Sequence, residues 1–412
     1  IVCLVGFFQM QGQKRPILVA GSMDNDIVVL LKENQIPYQL FSSPAKAISK
    51  AKQKDALLLL ADHYPSQKVA LTTKSKRKIT QKNLRVFIEF PQSVPSIELS
   101  ADTQRIVLER GVINTSQIKG VDTLNILAIH DHAFIPTSVS NPYILLGKVA
   151  GFKKADYGID DVKTYPLLFS RSPYLVSTTK ISDVISSRFG PTNAWMNVWN
   201  FILRELTLSE NYQFTKWVAD VKPQSAKEVK LPPSALRSTI QNGTDWFYKA
   251  KLFIHPQWVD TFQHRTKKNG EHVVYPGPTE NMPVGDGSLG LLEGHASYIY
   301  SDGSQPYRWW LRGDCQAEVA WALSASSNYL CDSQYKKTAG KQLTYLYKTS
   351  NLRAGERNDP KSPSFGLIGW ATTDPDAYYG DDNARAILAT IGAAMNLDSK
   401  EWNPYILEAI IG

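Results

Sequence analysis

The fold of the back half of the chain is decided by Gly313–Ser350, GDCQAEVAWALSASSNYLCDSQYKKTAGKQLTYLYKTS. Helical periodicity predicts one helix over 313–330 and another over 333–350, with a short turn between them. Working outward from this pair, we predict further helices at 234–254, 382–396 and 404–411, with long loops at 255–285 and 351–381. This order of helix, short turn, helix and long loop is the rhythm of an α/α toroid, in which inner and outer helices alternate.

The helices at 313–330 and 382–396 are separated along the chain by a single helix, 333–350. In an alternating toroid they therefore have the same parity, and we expect both in the inner ring. The inner helices of such a barrel begin at one mouth. The residues just before these two helices, and in their first turns, are therefore predicted to converge on a single cleft.

Carboxylates, arginines and paired aromatic residues cluster at the starts of both helices, in RWWLRGDCQAE at 308–318 and YYGDDNAR at 378–385. Glycoside chemistry needs such groups, because a general acid and a base or nucleophile flank the glycosidic bond. Aromatic rings stack on the apolar faces of sugars, and arginine binds a carboxylate-bearing sugar in a bidentate contact. The candidate catalytic residues are Asp314 and Asp382 first, then Asp381 and Glu318. The candidate substrate contacts are Arg308, Trp309, Trp310, Arg312, Tyr378, Tyr379, Arg385 and Glu293.

Position on the helices suggests roles for these carboxylates. A carboxylate at a helix N-terminus is held in its charged form by the helix dipole, which favours Asp314 and Asp382 as base, nucleophile or electrostatic stabiliser. A general acid needs a raised pKa. Asp381 could gain one from the neighbouring charge of Asp382, and Glu318 could gain one from burial among three tryptophans. The three are Trp309, Trp310 and Trp321.

A purely structural interpretation of the same residues stays open. Aspartate is a common N-cap, so Asp314 and Asp382 could simply cap their helices. Arg312 and Arg385 could pair with them only to lock the helical hairpins together. The paired tryptophans could belong to the core.

The front half alternates short apolar strands with helices. Strands are predicted at 16–20, 38–41, 56–61, 84–90 and 124–129, and helices at 24–34 and 44–54. Alternation of this kind implies a parallel sheet with both faces covered.

This layout, followed by YILLGKVAGFKKADYGI (143–159) and YPLLFS (165–170), resembles the class I glutamine-amidotransferase-like fold, a flavodoxin-like α/β domain. It is most similar to the non-catalytic version that is appended to some bacterial carbohydrate-active enzymes. The amidotransferase reaction needs a Cys at a strand-to-helix elbow and a His partner. No Cys lies between Cys3 and Cys315. The resemblance therefore implies a structural or ligand-binding domain.

From about Ser234 to the last residue, the motifs GDCQAE (313–318) and YYGDDNAR (378–385) resemble those of the six-hairpin glycosidase-like superfamily. Its members are (α/α)6 toroids of bacterial polysaccharide degradation. The resemblance implies a glycoside hydrolase that acts on a polysaccharide or oligosaccharide by carboxylate acid–base catalysis, with no cofactor. Fewer helices are predicted than a full toroid contains, so we expect an incomplete all-α toroid and a fragment of a longer protein.

The start of the chain carries a different signal. Residues 1–13, IVCLVGFFQMQGQ, resemble the later part of a secretory signal peptide, and their apolar run is too short to span a bilayer. A buried first strand is the alternative interpretation of the same run, but the signal peptide is favoured because the polar QGQKR follows. They imply a periplasmic or secreted bacterial protein with no membrane span. The predicted parts are a signal-peptide remnant at 1–13, the amidotransferase-like domain at 14–190, a helical junction and linker at 191–233, and the truncated toroid at 234–412.

The net charge of +8 does not by itself argue for nucleic acid. Residues 1–150 hold 18 Lys and Arg against 11 Asp and Glu, so most of the excess lies in a domain for which no chemistry is predicted. The basic run KSKRK at 74–78 lacks interleaved aromatics and is interpreted as a solvated loop. His130-Asp131-His132 is interpreted as a polar loop rather than a metal site, because no third His lies nearby. All ten Trp lie between Trp195 and Trp402, which marks the back half as the functional one.

Two other functions stay open. A polysaccharide lyase on a similar toroid would abstract a proton with a Tyr or His and neutralise a uronate with Arg, and its candidate bases are Tyr378, Tyr379 and His295. A non-catalytic saccharide-binding protein would use the same mouth without chemistry. Oxygen-rich Asp302 and Asp381–Asp382 would suit Ca²⁺, but no EF-hand pattern accompanies them, so no metal is assigned.

Overall fold

A computed structural model describes residues 15–129, 131–186, 189–217, 219, 225, 228–266, 274–296, 299–300 and 303–412. The chain falls into two compact units, 1–224 with 298–304 and 225–297 with 305–412. Several features predicted above lie outside the described residues. They are the signal-peptide remnant at 1–13, His130, Asp302 and most of the linker between 220 and 227.

Short strands and helices make up the first unit. Its strands are β1 (Ile17–Ala20), β2 (Tyr38–Phe41), β3 (Ala56–Leu59), β4 (Arg85–Glu89), β5 (Gln104–Arg105), β6 (Arg110–Ile113), β7 (Ile126–Leu127), β8 (Ala133–Phe134), β9 (Ile144–Gly147), β10 (Thr164–Arg171) and β11 (Tyr174–Ser177). Its helices are α1 (Asp26–Glu33), α2 (Pro44–Lys50), α3 (Thr73–Gln81) and α4 (Thr192–Thr207). The basic run at 74–78, predicted as a loop, lies on α3, where the Thr72 side chain caps the helix and Ile79 packs into the core.

Nine of these strands form one mixed sheet, in the order β2-β1-β3-β4-β11-β10-β9-β6-β7. The strands from β2 to β11 are parallel, as predicted, but those from β11 to β7 are antiparallel. The expectation of a wholly parallel sheet was therefore wrong. The change of direction between β10 and β11 has a physical reason. A turn of two residues, 172–173, joins these strands, and only antiparallel strands can be joined by so short a connection.

Successive residues of the central strands point to opposite faces of the sheet, and both faces are covered. On β1, Ile17 and Val19 join a core with α1 and α4, whereas Leu18 and Ala20 join a second core with α2 and α3. The helix expected at the junction, α4, packs into the first unit: Trp195 and Trp199 are both fully buried. Two of the ten Trp thus belong to the core of the α/β unit.

The second unit is mainly helical. Its helices are α5 (Ala235–Lys249), α6 (Val259–Arg265), α7 (Gly313–Leu330), α8 (Ser333–Thr344), α9 (Gly380–Leu397) and α10 (Asn403–Ile411). Its short strands are β12 (Val274–Tyr275), β13 (Gly294–His295) and β14 (Tyr307–Arg308). A π-helical turn at Tyr345–Thr349 continues α8, and 3-10 turns lie at Pro256–Trp258 and Gly355–Asn358. The segment predicted as a loop at 255–285 therefore holds α6.

Helix α7 is the centre of this unit and packs against α5, α8 and α9. Both α7 and α9 carry small buried residues that belong to one hydrophobic core, among them Ala317 and Ala320 on α7 and Ala386 and Ala389 on α9. Small side chains let two helix backbones approach closely. None of the described helices is long and apolar enough to cross a membrane.

Candidate active site

The N-terminal ends of α7 and α9 lie together, as the parity of the helices predicted. Arg312, the residue before α7, donates from Nη2 to both carboxylate oxygens of Asp382 in the first turn of α9, at 2.9 and 3.0 Å. Gly313, the first residue of α7, lies tightly against the loop before α9. A Cβ at that position would lie 2.7 Å from Cγ2 of Ile368 and 2.8 Å from the carbonyl oxygen of Gly369.

Arg312 also joins the two leading catalytic candidates to each other. Its Nη2 lies 3.1 Å from Oδ2 of Asp314 and 2.9 Å from Oδ1 of Asp382. Because one nitrogen binds both, these two carboxylate oxygens are at most about 6 Å apart. Two like charges so close need a cation between them, and the guanidinium supplies it.

A second arginine, Arg385, bridges α9 back to α7. Its Nε and Nη2 donate to the two carboxylate oxygens of Glu318 at 2.9 and 2.8 Å, a bidentate contact. Its Nη1 lies 3.0 Å from Oδ2 of Asp314 and 3.7 Å from Oδ1 of Asp382. Asp314 is therefore bound by two arginines, both at Oδ2.

Glu293 and Arg308 extend the network along the small sheet of β13 and β14. Arg308 donates from Nη1 to Oε1 of Glu293 at 3.0 Å, and Nη1 of Arg312 lies 3.5 Å from the same oxygen. All of these charged side chains form one continuous network, which we call the mouth cluster. Its members are Glu293, Arg308, Arg312, Asp314, Glu318, Asp382 and Arg385.

Exposure divides the mouth cluster into a buried and an open layer. The side chains of Asp314 and Asp382 are only 1% and 9% exposed, whereas those of Glu318 and Arg385 are 40% and 47% exposed. Asp381 is also exposed. The expected burial of Glu318 among Trp309, Trp310 and Trp321 was wrong, because Glu318 lies on the flank of α7 that faces Arg385 and Trp321 is itself 40% exposed.

The environment of Asp314 differs from the one that its helix position suggested. Burial raises the pKa of Asp314, and the nearby Asp382 raises it further, against the opposing effect of Arg312 and Arg385. We expected the helix N-terminus to keep this carboxylate ionised, but burial shifts its pKa in the opposite direction. Its Oδ1 is buried and has no hydrogen-bond partner among the described residues. Asp314 thus has the property of a general acid rather than of a base.

Neither aspartate is an N-cap, which removes one of the structural interpretations. The residues at the cap positions are Arg312 for α7 and Tyr379 for α9, and neither makes a side-chain capping hydrogen bond. Asp314 and Asp382 lie inside the first turns. The other structural interpretation, in which arginines tie the helix ends together through these carboxylates, does describe contacts that are present.

The candidate aromatic residues also divide into buried and exposed ones. Trp309 is fully buried against Trp258 at 5.9 Å between ring centroids, with the Arg265 guanidinium 4.3 Å from its ring, so it belongs to the core and not to a sugar-binding surface. Trp310 is 5% exposed. The rings open to solvent are Tyr378 and Tyr379, at 36% and 51% exposure.

One aromatic residue of the site was missed by sequence reasoning. Trp370 lies between Trp310 and Tyr379, with centroids 5.3 and 5.8 Å away, and the Arg312 guanidinium stands 5.9 Å from its ring. It comes from the long loop before α9, where a single Trp carries no periodic signal. Trp370 therefore lies between the partly buried Arg312 and the exposed Tyr379.

The residues proposed for lyase chemistry are placed less favourably. The His295 ring packs against Tyr307 at 4.2 Å and Trp246 at 5.4 Å between centroids, and burial lowers its pKa. The Tyr378 hydroxyl lies 3.1 Å from Nη1 of Arg357, which donates to it. No group of three or more His, Cys, Asp and Glu side chains in the described ranges has the arrangement of a metal site.

In the first unit, a buried polar network lies at the carboxyl ends of the parallel strands. Glu89, at the end of β4, accepts hydrogen bonds from the backbone of Ala61 and Ile181 at 2.9 and 2.6 Å and from the Ser182 hydroxyl at 2.9 Å. Lys180 lies 3.2 Å from Asp183. Burial raises the pKa of Asp183 to about 7. These groups bind one another and anchor the loop after β11.

Of the motif His130-Asp131-His132 in the first unit, the structure describes Asp131 and His132, and these two do not form a cluster. His132 is fully buried, with the rings of Tyr64 and Phe189 at 5.7 and 5.2 Å between centroids. Asp131 pairs with Arg105. Residues 131–132 lie in a loop, as interpreted, but the His132 side chain is fully buried.

Comparison with known proteins adds no assignment. No protein-family model matches the chain, and no curated protein matches it significantly.

Proposed function

We propose that the protein is a carbohydrate-active enzyme, a glycoside hydrolase whose catalytic carboxylates are Asp314 and Asp382. The observation that carries the proposal is the meeting of these two carboxylates at the shared N-terminal ends of α7 and α9, with exposed tyrosines beside them. Hydrolysis of a glycosidic bond needs two carboxylates in unequal environments, one protonated and one ionised.

The proposed roles follow from those environments. Asp314, whose pKa is raised by burial, protonates the leaving oxygen. Asp382, which accepts two hydrogen bonds from Arg312, acts as nucleophile or stabiliser. Two carboxylates within about 6 Å suit the retaining geometry, in which they are roughly 5–5.5 Å apart, better than the inverting one. Because the half-exposed Arg385 binds the buried Asp314, we expect substrate to reach Asp314 when this arginine moves.

The fold supports this proposal at a coarser level. We propose that the helical unit is part of an (α/α)6 toroid of the six-hairpin glycosidase-like superfamily. Exposed apolar side chains on α9 and α10, among them Leu388, Met395, Leu407 and Ile410, are what further helical hairpins would cover. The α/β unit is proposed to be the non-catalytic amidotransferase-like domain, and the protein to be periplasmic or secreted.

A non-catalytic saccharide-binding protein is the second candidate, and one observation favours it. The Asp314 side chain is 1% exposed and is held by two arginines, as a purely structural carboxylate would be. A lyase is less well supported, because Arg312 and Arg385 are both bound to carboxylates, and a uronate would have to displace one of these partners to be neutralised.

The test is a panel of oligosaccharides incubated with the protein and with its Asp314→Asn and Asp382→Asn variants. Products are separated by chromatography and binding is measured by calorimetry. The hydrolase proposal expects each variant to lose at least about a hundredfold in rate while binding stays within a few-fold. The matched control is Asp260→Asn, which changes an exposed carboxylate on α6 and should leave the rate unchanged.

Three results would speak against the proposal. Binding without any cleavage by the unchanged protein would favour the saccharide-binding candidate. Products that absorb in the ultraviolet through a new double bond would favour a lyase. Unchanged cleavage by both variants would show that other residues carry the chemistry.

A further inference from the structure

The mouth cluster contains more negative than positive charge. Its four carboxylates and three guanidinium groups have a formal charge of −1, and the exposed Asp381, next to Asp382 in the chain, brings the charge to −2. With Asp314 protonated, the total would still be −1. Any ligand that enters therefore meets a site with a surplus of carboxylate.

Each arginine of the cluster is already bound to carboxylate. Arg385 uses all three of its nitrogens on Glu318 and Asp314, and Arg312 uses both terminal nitrogens on Glu293, Asp314 and Asp382. Arg308 binds Glu293. A bidentate contact with a sugar carboxylate would first have to displace one of these partners.

Some buried polar atoms of the mouth cluster have no hydrogen-bond partner among the described residues, and they include both acceptors and donors. Two buried acceptors, Oδ1 of Asp314 and Oε2 of Glu293, lack partners among the described residues, and so do two buried donors, Nε of Arg308 and Nε of Arg312. A hydroxyl group can donate and accept, so it can satisfy either kind, whereas a carboxylate or sulfate only accepts. An ammonium group would suit the acceptors and the net charge.

We propose that the mouth takes an uncharged or amino-bearing saccharide and discriminates against uronates and sulfated sugars. This inference rests on the proposed function, because it assigns the mouth cluster to saccharide binding. It differs from the suggestion, made from the sequence, that an arginine of the mouth binds a carboxylate-bearing sugar. A like charge brought to a carboxylate-rich, partly buried site is the repulsive element that produces such selectivity.

The experiment compares matched oligosaccharides that differ in one group: galacto- against galacturono-oligosaccharides, and gluco- against glucosamine oligosaccharides. Affinity is measured by calorimetry at neutral pH and low ionic strength, where charge effects are least screened. The proposal expects the uronate to bind at least about tenfold more weakly than its neutral partner, and the amino sugar to bind at least as well as its own. We call the factor by which the uronate binds more weakly than its neutral partner the uronate penalty. Added salt should reduce it.

Glu318→Gln gives a sharper test, because glutamine has only one acceptor oxygen and can no longer accept hydrogen bonds from both Nε and Nη2 of Arg385. We expect this variant to reduce the uronate penalty several-fold. The matched control, Glu280→Gln, removes one exposed carboxylate of the same unit outside the mouth cluster and should leave the penalty unchanged. Tighter binding of the uronate by the unchanged protein would overturn this inference and leave the proposed hydrolase standing. Failure to bind or cleave any of these saccharides would overturn both.

Discussion

Arg312 is the residue that holds three carboxylates of the mouth cluster together. One guanidinium binds Glu293, Asp314 and Asp382, and its own side chain is 20% exposed. Buried carboxylates that lose their cation keep the cost of desolvation without the compensating attraction. Sequence alone placed Asp314 and Asp382 together, because helix parity is a local inference. The pairing of Arg312 and Arg385 with these carboxylates was one of the interpretations that the sequence left open. The contact of Arg312 with Glu293, about twenty residues earlier in the chain, could not be predicted, because it depends on the folded backbone.

Arg312→Ala is expected to lower the free energy of unfolding by about 3 kcal/mol or more, the usual effect of removing one partner from a buried ion pair. The measurement is urea unfolding followed by circular dichroism. The control is Arg237→Ala, which removes an exposed arginine from α5.

The loss caused by Arg312→Ala should also depend on pH. Arg312 lowers the pKa of Asp314, so its removal raises that pKa further. The folded variant then binds a proton more tightly than the unfolded chain does, and its stability rises as pH falls. We expect the difference from the unchanged protein to be smaller at about pH 5 than at about pH 8. An equal difference at both pH values would show that Arg312 acts through packing and not through these carboxylates.

At the scale of elements, what the sequence predicted well was what local periodicity controls. The helix at 313–330 has the predicted bounds, and α9 differs from its prediction by two residues at its start and one at its end. The sheet was predicted less well, because β9, β10 and β11 are apolar runs whose direction depends on connections and not on their own residues. The tight contact between the start of α7 and the loop before α9 also leaves a trace in the sequence, as Gly313 at the first position of α7.

Gly313→Ala should therefore destabilise the second unit by about 1–3 kcal/mol, because its Cβ would lie 2.7 Å from Ile368 and 2.8 Å from the Gly369 carbonyl. Gly340, in the interior of α8, has open space around its missing Cβ and provides the contrast. Gly340→Ala should stabilise the protein by up to about 1 kcal/mol, because alanine favours the helix. Both changes in stability are to be measured by thermal unfolding. A neutral Gly313→Ala would contradict the tight contact between the start of α7 and the loop before α9.

At the scale of the whole molecule, each unit buries ionisable groups whose proton affinity differs from that of the unfolded chain. In the helical unit the clearest case is Asp314, and in the α/β unit it is Asp183, beside Lys180 and the fully buried Glu89. Burial raises the pKa of Glu89 as well. The sequence offered no sign of the α/β network, because Glu89, Lys180 and Asp183 are isolated polar residues in otherwise ordinary strand and loop segments.

Asp183 makes the stability of the α/β unit depend on pH in a direction that can be stated in advance. Its pKa is about 7 in the folded protein, mainly through burial, against an ordinary value of 3.8. Between these two values the folded state holds a proton that the unfolded state has released, so the free energy of unfolding falls as pH rises from about 4 to about 7. Below and above that window Asp183 contributes no further slope.

Asp183→Asn should remove this contribution to the slope, because asparagine does not titrate. Urea unfolding of the unchanged protein and the variant at several pH values across the window is the measurement, and the exposed Asp161→Asn is the matched control. We expect the variant to gain stability relative to the unchanged protein as pH rises towards 7, since it no longer has a buried carboxylate to ionise. Parallel curves for the two proteins would mean that Lys180, 3.2 Å away, compensates the Asp183 charge fully and that burial does not control its ionisation.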